Sequence, residues 1–281
     1  MEFATTSENI EVQPDVKIHA VRTTPNDKAR SAHEDALTLV FLHFWGGSTS
    51  TWSQVIPQLA NSYRTLALDF RGWGRSTGPD DQNAYSIKHL ADDVEAVISH
   101  YNLRRVVIVG HSMGAKVAQL VTGRNRVAGL RGLFLVAPAP PTPLILPNEM
   151  REQQLRAYDS PESAEFVARN VLSAGSLSDA VVDTVVIDML KGNQWAKLAW
   201  PQYGMAEDIH DIAREITAPV YVIVSDSDSV ETPERVKKQV LPNVGTASPA
   251  LVVLPRSGHL MPLEDADGVA SHITLFLTSL E

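Results

Sequence analysis

Between residues 106 and 121 the chain reads Val106-Val107-Ile108-Val109, then Gly110-His111-Ser112-Met113-Gly114, then a helical pattern from Ala115 to Val121. The order is a buried strand, a sharp turn and a helix, with Ser112 at the turn. A serine there is held in a strained backbone conformation, tolerated because the flanking glycines let strand and helix approach closely. Its hydroxyl stands clear of the sheet, where it could act as a nucleophile. The following N–H, of Met113, lies at a helix N-terminus and could donate to a developing oxyanion.

A serine hydroxyl is a weak nucleophile at neutral pH. It needs a histidine base, and the histidine needs a carboxylate to fix its tautomer and stabilise its charged form. Nine histidines compete. His259, in Arg256-Ser257-Gly258-His259-Leu260, follows the apolar run Ala250 to Leu254 and precedes the last helical stripe. That places it in a loop at the carboxyl end of a parallel strand, the same edge as Ser112. His111 adjoins the serine and would point the wrong way. For the acid, Val220 to Val224 runs into Ser225-Asp226-Ser227-Asp228-Ser229. Asp228 lies further past the strand end and is preferred for reach, with Asp226 as the alternative. The stretch after Phe134 to Ala137 offers no carboxylate. A second oxyanion donor should come from the loop after the first strong strand, His43-Phe44-Trp45-Gly46-Gly47-Ser48, where the Trp45 N–H is the candidate.

These residues must be positioned by a sheet. Six short apolar runs bounded by turn residues read as strands buried on both faces: Leu37 to Phe44, Arg64 to Phe70, Val106 to Gly110, Gly132 to Ala137, Val220 to Val224 and Ala250 to Leu254. Helical stripes lie between them, with Leu90, Val94, Val97, Ile98 and Tyr101 on one face, and Val117, Leu120 and Val121 on another. Val269, Ile273, Phe276, Leu277 and Leu280 form a closing helix. The alternation predicts an α/β fold with a mostly parallel central sheet and helices on both faces. Residues 138–210 break the rhythm. They open with Pro-Ala-Pro-Pro-Thr-Pro and carry helical stretches at Glu152 to Tyr158, Ala164 to Leu172 and Ala180 to Leu190. The segment reads as an inserted helical cap, dividing a core of residues 1–137 and 211–281. Trp195, Trp200, Tyr203 and Met205 crowd its end, and with Phe44 the three aromatics are candidates for a substrate wall. Thr23 to Asp35 reads as a polar loop.

With 281 residues, 44% hydrophobic and 20% charged, the chain can build one large core. A net charge of -9 supplies no basic stripe for nucleic acid. The absence of cysteine removes disulfides, thiolate metal sites and a thiol nucleophile. Glu2, Glu8, Glu11 and Asp15 occupy a start without an apolar signal core, and no uncharged apolar run approaches the ~18 residues of a membrane span. The expectation is a soluble, cytoplasmic protein with a small-molecule substrate, no metal and no cofactor. Its oligomeric state is unreadable.

The chain resembles the α/β-hydrolases of the esterase, lipase and cofactor-free haloperoxidase group. The resemblance covers roughly Leu37 to Ala137 and Ala218 to Leu280. Leu42 to Ser48 is similar to the family's His-Gly oxyanion loop, and Asp69-Phe70-Arg71-Gly72-Trp73-Gly74-Arg75-Ser76 to its Asp-x-Arg-Gly-x-Gly-x-Ser segment, in which Arg71 and Arg75 would order the loop. Gly110 to Gly114 resembles the nucleophile elbow, and Gly258-His259 with Glu264 the histidine loop. Phe44 and Ser225 stand where the family usually has glycine. The resemblance implies a serine hydrolase cleaving an ester, lactone or related acyl bond of a small, moderately apolar molecule. C–C bond hydrolysis or perhydrolysis could use the same three residues, and a ligand-binding receptor on this scaffold is the alternative from another class.

Overall fold

A computed structural model describes residues 3–26, 36–175, 177–245 and 249–280. Its centre is an eight-stranded sheet. The strands are β1 (Phe3–Gln13), β2 (Val16–Pro25), β3 (Thr38–Leu42), β4 (Arg64–Leu68), β5 (Val106–His111), β6 (Leu130–Val136), β7 (Val220–Ser225) and β8 (Ala250–Leu254). Their spatial order is β1-β2-β4-β3-β5-β6-β7-β8. β1 pairs antiparallel with β2 and β2 with β4; every pairing from β4 to β8 is parallel. The six apolar runs are the six parallel strands, and β3, β5 and β6 contain almost only buried residues.

The β1–β2 hairpin is the part that apolar periodicity does not reveal. β1 buries only Ile10 fully; Phe3 and Val12 are half-buried, and the rest, mostly Thr, Ser, Glu and similar residues, face water. Cross-strand hydrogen bonding at a sheet edge, rather than burial, makes it a strand. Asp15 takes a φ of 66° in the turn between the two strands. Thr23 to Pro25, expected as loop, complete β2; residues 27–35 of that expected loop lie outside the described residues.

Helices cover both faces. On one, α1 (Ile87–His100) and α2 (Met113–Arg124) bury Leu90, Val94, Val97, Val117, Leu120 and Val121 against the sheet. Ser86 caps α1 by accepting from the His89 N–H at 3.2 Å. On the other face the C-terminal helix Ala266–Thr278 packs Val269, Ile273 and Phe276 beside Trp52. Between β6 and β7 the chain forms α3 (Asn148–Leu155), α4 (Pro161–Val167, continued by a wider turn to Leu172), α5 (Asp179–Lys191) and α6 (Gln194–Gln202). The sequence pattern does not reveal α6, because Pro201 and its aromatics hide the stripe. Asn193 caps it, accepting from the Ala196 N–H at 2.8 Å. The two ends of this insertion run together: the Leu144 N–H donates to Met205 C=O and the Ile209 N–H to Pro141 C=O, both at 2.9 Å. The buried Lys116 of α2 donates to Met205 C=O at 3.1 Å and Thr142 C=O at 3.4 Å, tying both ends to the core.

Candidate active site

β5 ends at His111 and α2 begins at Met113, so Ser112 alone makes the turn. Its φ of 56° and ψ of -116° put a non-glycine residue in the left-handed half of backbone space. The turn survives because its flanks lack side chains. A Cβ on Gly110 would sit 2.6 Å from Gly114 C=O, and one on Gly114 would sit 2.6 Å from Leu42 C=O. The Ser112 N–H donates to Val136 C=O at 3.0 Å, anchoring the turn to β6.

Three side chains from three strand ends meet here. Ser112 Oγ lies 2.8 Å from His259 Nε2, and His259 Nδ1 lies 2.8 Å from Asp228 Oδ2. His259 and Asp228 are buried, and Ser112 is 9% exposed. The second oxygen of Asp228 accepts the N–H groups of Val230 at 2.7 Å and Glu231 at 3.0 Å. Asp226, the alternative acid, turns away: it accepts the Arg256 N–H at 3.0 Å at the surface. Burial pushes the Asp228 carboxyl up, but the charge and hydrogen bond of His259, with the two N–H groups, outweigh it and hold it below its ordinary value. Burial pushes His259 down, yet Asp228 foremost, with the nearby Glu231 and Glu264, more than reverses this, and the imidazole is more basic than a free one. A basic imidazole with a fixed Nδ1–H can take a proton at Nε2.

A second ring of groups fixes this chain. Burial beside His259 drives His111 down to about 3, so it is neutral, and its Nε2–H donates to His259 C=O at 2.8 Å. It supports the histidine's backbone and does not reach the serine's hydroxyl. Glu264 accepts the Gly258 N–H at 2.6 Å, the Ser173 hydroxyl at 2.7 Å and the Ala174 N–H at 2.8 Å, joining the histidine loop to the insertion. Glu231 is the group sequence reasoning missed, although its place three residues after Asp228 was a usable signal. It is 2% exposed and pushed up to about 8 by burial, against the charges of Arg235 and His259. Among the described residues the cation beside it is Arg235, whose Nη1 stands 3.5 Å from Oε2, too loosely set for a hydrogen bond.

On the other side of Ser112 runs the loop after β3. The His43 Nε2 accepts the Phe70 N–H at 3.0 Å, which puts the ring proton on Nδ1, and Nδ1–H donates to Phe44 C=O at 2.6 Å. Asp69 accepts the Thr49 N–H at 2.6 Å and the Arg75 N–H at 2.9 Å, linking this loop to the arginine segment. Arg71 is buried in a two-pronged bond to Asp93, both contacts 2.6 Å, and so is structural. Among the described residues, no hydrogen-bond acceptor faces the N–H of Trp45 or of Met113.

The aromatic candidates separate. Trp200 and Met113 line one small void with Trp73 and Tyr85, about 10 Å³, room for little more than a water. Phe44 is buried beside the His111 ring, 5.3 Å between centroids. Trp195 and Tyr203 send their polar ends outward, the indole N–H to Asp80 and the phenol to Gln82 C=O at 2.6 Å, so they fasten the insertion to the core loop there. A second cavity, of about 220 Å³, lies between Trp45, Tyr158, Gln154 and Lys197. Among the described residues no group of three or more His, Asp or Glu side chains is arranged to hold a metal ion, and no helix is long and apolar enough to cross a membrane.

Residues 39–272 match the model of the alpha/beta hydrolase family. The chain belongs to this family. Over 256 residues this α/β-hydrolase is 25% identical to a non-heme haloperoxidase of Rhodococcus erythropolis, covering 86% of this chain and 92% of that protein. It is also 25% identical, over 87% of its length and 93% of the other's, to a bifunctional esterase/perhydrolase of Acinetobacter calcoaceticus. A stretch of 120 residues is 40% identical to epoxide hydrolase B of Mycobacterium tuberculosis, but the match spans only 32% of that longer relative. Among solved structures, a bromoperoxidase from Bacillus anthracis superposes with a TM-score of 0.84 at 16% identity, covering 98% of this chain and all of that one. These likenesses fix the fold.

Proposed function

We propose that this α/β-hydrolase cleaves an ester, lactone or related acyl bond of a small, moderately apolar substrate through Ser112, His259 and Asp228. The observation that carries the reading is the pair of 2.8 Å contacts linking a serine on a positive-φ turn to a buried histidine and carboxylate. His259 Nε2 takes the proton of Ser112 Oγ as the oxygen attacks the acyl carbon, and the carbonyl electron pair moves onto its oxygen. Asp228 stays ionised and stabilises the imidazolium. The N–H groups of Trp45 and Met113 hold the oxyanion, a donor of this kind contributing about 10²- to 10³-fold in rate. Collapse expels the alkoxide, which takes the proton from His259. Water then attacks the acyl-serine by the same steps in reverse. No cofactor enters this sequence. Residues 138–210 act as a cap, with Trp200 sharing a void with Met113 and Trp195 and Tyr203 fastening its edge, while Phe44 of the core lies beside His111.

A second reading replaces water by hydrogen peroxide, giving a peracid from the same acyl-serine; the two relatives matched over most of their length favour it by name. A panel of esters, lactones and amides, with and without hydrogen peroxide, assayed on wild type and Ser112→Ala tests both. Ester or lactone turnover lost in the variant is expected. Turnover retained by Ser112→Ala would overturn the assignment.

A further inference from the structure

The Trp45 N–H shares a peptide unit with Phe44 C=O, and in a trans peptide the two point in opposite directions. His43 Nδ1–H at 2.6 Å and the Gly47 N–H at 3.0 Å hold that carbonyl, so the core fixes one side of the donor residue. The next peptide unit begins with Trp45 C=O. Its partner is not in the core: the hydroxyl of Tyr158, from the turn after α3, donates to it at 2.8 Å.

The surrounding packing is built for this contact. Tyr158 is buried, and its ring lies on the Trp45 indole, 4.2 Å between centroids at 33°. The indole N–H donates to Lys197 C=O of α6 at 3.0 Å. Gly46 has a φ of +97°, and a Cβ there would lie 2.6 Å from the Tyr158 oxygen, so the glycine leaves the phenol its place. Burial holds the phenol well above its ordinary pKa, and it remains a donor across the working range. Two groups of the insertion, 113 and 152 residues from Trp45 in sequence, therefore grip the residue on its carbonyl and its ring.

We propose that Tyr158 is a positioning residue for the oxyanion donor: the core holds the Phe44–Trp45 peptide from one side, and the Tyr158 hydroxyl, latching the inserted helices to the Trp45 carbonyl, holds the residue from the other, so that the N–H keeps its full aim only when both are in place. This rests on the reading of Ser112 and its two N–H donors given above. Without the hydroxyl the Trp45 carbonyl loses this donor; the Trp45–Gly46 peptide turns toward another partner, and the movement reaches the Trp45 N–H through the shared Cα although Phe44 C=O stays held. The donor is loosened, not removed, so the loss is smaller than the ~10²- to 10³-fold of a deleted oxyanion group.

The test is Tyr158→Phe, which keeps the ring and deletes the hydroxyl, assayed with p-nitrophenyl acetate. A fall of about 10-fold in kcat with KM within about 2-fold is expected. Affinity for phenylboronic acid, which mimics the tetrahedral adduct, should fall by a similar factor. Unchanged kcat, or a loss confined to KM, would assign Tyr158 to packing alone and overturn the proposal. Labelling of wild type and variant by a fluorophosphonate is read in parallel. If wild type is not labelled at Ser112, the underlying reading fails and the latch with it; if both label and kcat does not fall, the latch alone fails.

Discussion

Replacing Glu231 with glutamine should stabilise the protein by an amount that grows with pH. Glu231 is fully enclosed among Asp228, His259 and Arg235, and its carboxyl is pushed from 4.5 up to about 8, chiefly by burial. Between those values the folded state holds a proton that the unfolded state has released. Stability therefore declines as pH rises, by about 1.4 kcal/mol per pH unit for one such group. The deficit is absent below pH 4.5, reaches about 2 kcal/mol at pH 6 and levels at about 5 kcal/mol above pH 8. Glutamine has nearly the same shape and no charge to bury, so the variant escapes it, while the shared titrations of His259 and Asp228 largely cancel in the comparison. Urea unfolding of both proteins at half-unit steps from pH 4.5 to 9 measures the difference. A stability gap widening up to about pH 8 and then flat is expected. A gap independent of pH, or one that narrows, would show that Glu231 is ionised in the folded state.

Other perturbations follow from the same geometry. Asp93→Ala strands the Arg71 guanidinium, which is 1% exposed, and should cost about 3–5 kcal/mol in urea unfolding. Asp228→Asn should leave the fold intact and lower kcat by about 10⁴-fold, since the histidine loses its orienting charge; a loss under 10-fold would point to another acid. In the free enzyme His259 must be neutral to accept the serine proton, and its basicity is raised by Asp228. Activity should thus fall as pH drops, with the half-point of kcat/KM above that of an ordinary histidine near 6.5. A half-point below 6 would contradict the arrangement.

The parallel strands, Ser112 and His259 were legible because each is written locally: apolar runs between turns, a glycine-flanked serine, a Gly-His loop at a strand end. The carboxylate that meets His259 was one of the two that the sequence offered. Reach past the strand favoured Asp228, and what separates the pair is that Asp226 is occupied by the Arg256 N–H while Asp228 turns inward to His259. β1 carries no apolar stripe, so periodicity passes over it. α6 hides behind Pro201. Tyr158 has no motif at all; its meaning arises from contact with a residue 113 positions away, which only the folded chain supplies. Trp195 and Tyr203 show the same limit, since composition suggests a binding wall and hydrogen bonding places their ends on Asp80 and Gln82.

If Ser112 attacks as a nucleophile, it can be captured covalently. Wild type treated with a fluorophosphonate should take up one phosphonyl group per chain, mapped by peptide mass to the segment holding Ser112, with turnover lost in proportion. Ser112→Ala should take up none. Labelling elsewhere, or full esterase activity in a chain whose Ser112 is already phosphonylated, would show that Ser112 is not the nucleophile.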